Sequence, residues 1–226
     1  MATIARCTKE AAKFENYMSD VVKVVDGMAD ATGKVSNKMA ENGRTYAENY
    51  AILEERLKDL STQIPYTFED LTRLAAAAGQ SGKTFEDLTQ TDFLKDIPMW
   101  GTAMDISADQ AGDWGAKWEQ AFNMNHEQVM EVADVINYLG NNYATTAAEI
   151  AQSVNDAASM GQLAGVDVKA TAAIAASMQA MGVSTDRVGT SIKRIYTNIT
   201  KGSTATAAQE AVSYTHLRAH ETRHDL

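Results

Sequence analysis

The stretch Ala77-Ala-Gly-Gln-Ser-Gly-Lys-Thr84 decides how this chain is read. It satisfies the loosest spelling of a phosphate-binding P-loop, and a P-loop would make the fold α/β. That motif needs a buried strand feeding the glycine loop and a helix whose N-terminus receives the phosphates. The residues before it, Asp70-Leu-Thr-Arg-Leu-Ala-Ala-Ala-Ala78, make a good amphipathic helix and a poor strand. No later segment offers four apolar residues ending in a magnesium-binding Asp. The other explanation needs only local chemistry: Gly79 or Gly82 ends one helix in the left-handed conformation, and Thr84 caps the next. Read so, the stretch is a turn between helices and the fold is all-α.

The surrounding sequence repeats this punctuation. Thr67-Phe-Glu-Asp70 and Thr84-Phe-Glu-Asp87 are near-duplicates that place acids in a first helical turn. Ser107-Ala-Asp-Gln110 and Asn125-His-Glu-Gln128 put a polar cap three residues ahead of Gln, and Thr146-Ala-Ala-Glu149 is a full capping box. Asp167 and Ser184 are further N-cap candidates. MDISADQA, FNMNHEQV, AGVDVKAT and MGVSTDRV look like one design used four times, an apolar residue followed by a polar cap. Helices of roughly 12 to 18 residues fill the gaps, Val188, Ile192, Ile195 and Ile199 forming one apolar stripe. No segment alternates with period 2, and short loops between similar helices imply hairpins packed into a bundle.

Toward the N-terminus the pattern from about Thr8 to Leu60 is helical and amphipathic, interrupted at Gly33 and Gly43. Met18, Val22, Val25 and Ala29 recur at helical spacing, and Tyr46, Tyr50, Leu53, Leu57 and Leu60 form a short seam of coiled-coil type. An amphipathic helix on its own domain and a helix coiling with another chain both fit that seam. Pro65 then ends the helix. These shifts divide the chain into a helical lead-in over 1–60, a helical core over 61–205 and a tail over 206–226.

Composition bounds the function. At 226 residues the chain is long enough for a real core, its formal charge is −10, and it has two prolines and one cysteine. The acidic balance argues against nucleic acid, whose phosphates need a clustered basic face, and against anionic membrane surfaces. Cys7 alone allows no intramolecular disulfide and fits a reducing compartment. No window approaches 18 apolar residues, so no membrane span is expected, and the N-terminus lacks the apolar core of a signal peptide.

Candidate sites dissolve into structural roles. His216, His220 and His224 stand at i, i+4 and i+8, which on a helix would align three imidazoles for zinc. They hold three of the four histidines within the last eleven residues, and that abrupt shift marks SYTHLRAHETRHDL as foreign to the native reading frame. Trp114, Trp118 and Phe122 on one helix face, and the eleven methionines, read as core. His126 is expected to be exposed in a first turn, with no orienting partner near it in sequence. Carboxylates fall at helix starts, where capping explains them. No catalytic, cofactor-binding or metal-ligating residue is therefore assigned, and no cofactor is implied.

STQIPYTFEDLTRLAAAAGQSG, beginning at Ser61, resembles the opening of the conserved core of phage tail tape measure proteins of the lactococcal-siphophage type. AMDISADQAGDWGAKW, VADVINYLGNNYATTAAEIAQSV and GQLAGVDVKATAAIAASMQAMGVSTDRVGTSIKRIY are similar to that family's successive blocks, in order. The most specific piece is INYLGNNYATTAAEI, Ile136 to Ile150, and FENYMSDVVKVV from Phe14 resembles the lead-in. The resemblance covers roughly 190 of the 226 residues. One block departs from it: after Thr84 the sequence reads TQTDFLKDIPMWG, with Pro98 expected to break the helix.

The resemblance implies a structural protein of the virion tail, assembled in the host bacterial cytoplasm. It would help set tail length and template tube assembly, using the fixed helical rise of about 1.5 Å per residue. The implied partners are tail tube protein, tail assembly chaperones and other tape measure copies. No catalytic residues carry over. A bacterial helical interaction or adaptor module is the alternative class, which the neighbouring genes would distinguish. A nucleotide-binding enzyme would need Lys83 to face a phosphate.

Overall fold

A computed structural model describes residues 2–201. The described residues fold into helices with no strand, only two isolated bridges, Asp26 with Thr84 and Met39 with Thr45. In chain order the helices are α1 (Ala2–Val24), α2 (Tyr46–Gln63), α3 (Phe68–Gln80), α4 (Phe85–Gln90), α5 (Phe93–Met104), α6 (Ala108–Ala121), α7 (His126–Asn142), α8 (Ala147–Ala164) and α9 (Val168–Ala180). A further helix, α10, runs over 185–201. The all-α reading holds.

Caps start these helices where the sequence placed them. Reciprocal capping boxes join Thr67 to Asp70, Thr84 to Asp87, Ser107 to Gln110, Asn125 to Gln128 and Thr146 to Glu149, and the Asp167 side chain accepts from the Ala170 amide. Each satisfies amides that an isolated helix leaves orphaned. A sixth box, Thr45 with Glu48, starts α2 and has the same spelling, though it was not among the expected caps. Pro65 follows the end of α2 as expected.

Two expectations about where helices end are not met. The helical pattern from Thr8 to Leu60 is broken between Val24 and Tyr46, where the chain forms an ordered loop. Asp30 organises it: its carboxylate accepts from the Thr32 amide and hydroxyl, the Lys34 amide and the Ser36 hydroxyl, and pairs with Lys38 at 3.1 Å. The bonds from Thr32 hold that carboxyl well below the usual carboxylate range. Pro98, by contrast, does not end its helix. It lies inside α5, and the lost amide bond is outweighed by burial of Phe93, Leu94, Ile97, Trp100 and Met104 on both sides of it.

One hydrophobic core takes in side chains from Met18 of α1 to Tyr196 of α10. The α2 seam is used within the chain: Leu53 and Leu57 are fully buried, Leu60 nearly so, and α2 packs on α3, α4 and α5. The tightest pairing is α3 on α6. A Cβ on Gly112 would stand 2.4 Å from the Leu74 carbonyl oxygen, so only glycine lets the two backbones approach this closely. Trp118 is fully buried and stacks at an angle on Trp100, their centroids 5.1 Å apart, which places the α6 tryptophans in the core. The α10 stripe is rotated from its expected position: Val188, Ile192 and Tyr196 are buried, whereas Ile195 and Ile199 are 44% and 51% exposed. The strict i, i+4 row runs through Tyr196, whose hydroxyl lies 2.6 Å from that of Thr171 in α9.

Candidate functional site

The turn that mimics a P-loop is one of five copies of a single joint. At Gly82-Lys83-Thr84 the left-handed residue donates to the carbonyl three residues back, Gly79, and the next residue to the carbonyl five back, Ala78. The same pair of bonds occurs at Asp105-Ile106-Ser107, Asn123-Met124-Asn125, Gly165-Val166-Asp167 and Gly182-Val183-Ser184, each centred on a positive-φ residue. This is the Schellman ending of a helix, followed directly by the N-cap of the next. Gly82 supplies the left-handed residue of the P-loop-like turn (φ +93), while Gly79 is helical and closes on Val24, the last residue of α1, and on Val25 beyond it.

That geometry leaves no phosphate cradle. The Ser81, Gly82 and Lys83 amides donate to Ala77, Ala78 and Gly79 carbonyls, the Thr84 amide to Asp87, and the Phe85 amide to the Asp26 carbonyl. A second carboxylate, Asp113, takes the Ser81 hydroxyl at 2.5 Å. An anion site needs free amides, and here they are filled and ringed by acids.

The distinctive feature is Lys83. In the other four joints its position holds Ile106, Met124, Val166 or Val183, each packed against the core. Lys83 follows the same path inward and is buried. It forms an ion pair with Glu119 of α6, and its ammonium lies over the Phe93 ring, 5.0 Å from the centroid. Beyond Glu119 stands His126, the first residue of α7. Its Nε2 is 3.1 Å from Asp96 Oδ2 of α5, and its Nδ1 is 3.6 Å from Glu119 Oε1. The imidazole also tilts against Phe93 at 5.9 Å.

His126 is thus not the exposed, partnerless histidine expected from the sequence. Its side chain is 17% exposed, and its partners come from segments 7 and 30 residues away, 126 minus 119 and 126 minus 96. Glu119, with Asp96 adding to it, holds the imidazole pKa above its ordinary value, against the opposing effect of burial. No hydroxyl or thiol hydrogen-bonds His126 among the described residues, so the imidazole faces two carboxylates and no nucleophile. The cluster joins the α3–α4 turn, α5, α6 and α7, and what it can do is hold them together.

Between α8 and α9 the buried polar groups are uncharged. Gln179 of α9 donates to the Glu149 carbonyl and the Ser153 hydroxyl and accepts from Thr145. Among the described residues no group of three or more His, Cys, Asp and Glu side chains is placed to hold a metal, and no helix is long and apolar enough to cross a membrane. His216, His220 and His224 lie outside the described residues.

Comparison with known proteins adds a family. The model of the phage-related minor tail protein family matches residues 54–221. A probable tape measure protein of Halomonas phage phiHAP-1 is 28% identical over 195 residues, covering 84% of this chain and 22% of the relative. The chain therefore spans about a fifth of that relative's length. No solved structure matches.

Proposed function

This chain belongs to the phage-related minor tail protein family, and from that premise we propose that it forms part of a tape measure, the protein that sets the length of a phage tail and templates its tube. A structural tail protein has other tail components as partners and the virion tail as its place. The finer reading adds tail tube protein, tail assembly chaperones and further copies of the same protein, met in the cytoplasm of the host bacterium. The role is structural rather than catalytic. The Lys83–Glu119 and His126–Asp96 contacts tie separate elements together, as a scaffold needs, and the P-loop-like turn has its amides filled.

The observation that carries the tape measure reading is the extent of the similarity to the Halomonas phage protein, which covers 84% of this chain. Within a tape measure, this part contributes a folded block. Its longest helix, α1, has 23 residues and spans about 35 Å. The division into 1–60, 61–205 and 206–226 belongs to the same proposal, and the family match enters the last of these as far as residue 221.

A nonsense codon at Trp100 in the phage or prophage that carries the gene tests the function. Expected are filled heads without tails of unit length, and peptides of this chain in purified wild-type tails. Normal tail lengths from the mutant would remove the tape measure reading. Absence of the chain from wild-type tails would remove the structural one and favour an adaptor.

A further inference from the structure

The Lys83–Glu119–His126–Asp96 cluster sits where α7 meets α5 and α6; α8 packs directly on α6 as well. With both carboxylates ionised, only a charged imidazole leaves no two acceptors face to face in this cluster. With Nε2–H given to Asp96, a neutral imidazole turns the lone pair of Nδ1 toward Glu119 Oε1. Nδ1 and Oε1 are both buried, 3.6 Å apart, and neither has another partner. Two acceptors facing each other in a dry site repel, whereas a second ring proton turns the contact into an ion pair. The charged ring also balances the site: two cations, Lys83 and His126, against two carboxylates, Glu119 and Asp96.

We propose that His126 is a proton-operated clasp, which when charged pins the first turn of α7 to α5 and α6 and when neutral releases its hold on Glu119. The surrounding charges support this assignment. Asp96 faces the ring from α5 and Glu119 from α6, with Lys83 of the α3–α4 joint behind Glu119. Lys169, the α9 cation next to α7, is engaged with Glu131 further along the helix, and the α8 acids Glu149 and Asp156 bond Thr146 and Gln152. On α7 itself Glu127 is exposed. The positive end of the α7 dipole opposes the charged ring, and the two carboxylates outweigh it.

Because the fold raises the proton affinity of His126, its stabilising contribution is complete below about pH 6.5 and is lost as pH climbs through the raised value. The clasp therefore holds in mildly acidic solution and loosens as pH rises past the raised midpoint. It is independent of the tail-length reading and stands or falls on the full chain in solution.

Nitrogen-15 imidazole spectra of the full chain between pH 5.5 and 9 test it, with His126→Gln identifying the His126 signals. Both ring nitrogens of His126 should be protonated at pH 6.5, with a midpoint above that value that drops in Glu119→Gln. A midpoint at or below 6.5 overturns the proposal, and that measurement on the wild-type chain needs no variant to fold. Hydrogen exchange tests release: protection of the Val129 amide in α7, relative to Val154 in α8 at the same pH, should fall as pH rises. A constant ratio would mean the imidazole titrates without opening anything. In melting, the advantage of wild type over His126→Gln should shrink with pH, by about 3–5 °C for each tenfold preference for the charged ring.

Discussion

The joints at Gly82 and Gly165 share one backbone plan and differ in the side chain that follows the glycine. After Gly165 comes Val166, which packs on the core and carries no charge into the slot. After Gly82 comes Lys83, which brings a cation into the same kind of slot and draws Glu119, His126 and Asp96 around it. An apolar residue in that position is stabilised wherever it meets hydrocarbon. A buried lysine is tolerated only with its partner in place, so the Gly82 joint depends on residues far away in sequence and the Gly165 joint does not.

The largest expected effect breaks that dependence. Glu119→Ala leaves the Lys83 ammonium buried without a carboxylate and should cost about 3–5 kcal/mol in denaturant unfolding. At the Gly165 joint Val166→Ala should cost only about 1 kcal/mol. A loss under about 1 kcal/mol for Glu119→Ala would show that Lys83 reaches water easily, and the contrast between joints would vanish.

A smaller effect separates the glycines. Gly165→Ala meets nothing within 4 Å and suffers only the left-handed backbone, about 1 kcal/mol. Gly82→Ala adds a Cβ 2.4 Å from Gln120 Nε2, which donates to the Ser81 carbonyl at 2.7 Å, and should cost about 2 kcal/mol. Equal losses would mean that the Gln120 bond is immaterial. Smaller still are the caps: Thr84→Ala and Thr146→Ala should each remove about 1 kcal/mol, because both complete a capping box and neither touches the charged cluster. The smallest expected effect is none at all. Magnesium-ATP should leave the melting temperature unchanged, and a rise that Lys83→Ala abolishes would restore a nucleotide site at this turn.

What the sequence made legible follows the range of the physics. Caps are three-residue chemistry, so Thr67, Thr84, Ser107, Asn125, Thr146 and Asp167 could be placed by spelling. Thr45 with Glu48 carries the same signal, but Gly43 just before it reads only as an interruption to a longer helix. The loop around Asp30 needed several donors to converge on one carboxylate, which no periodicity reports. Pro98 was misread because its cost is local, whereas the burial that offsets it is tertiary. The charged cluster was hidden for the same reason, Lys83 and Glu119 being 36 residues apart. Its one local sign was a lysine in a slot that is apolar in ISADQ, MNHEQ, VDVKA and VSTDR.

The most direct test of the structural reading of AAGQSGKT is a double-mutant cycle of Lys83→Met and Glu119→Gln, read by chemical denaturation. If Lys83 is a buried joint residue, the double variant recovers most of what Glu119→Gln loses, with a coupling of at least about 2 kcal/mol between the two sites. Additivity within about 0.5 kcal/mol would contradict it and leave Lys83 free to serve another purpose.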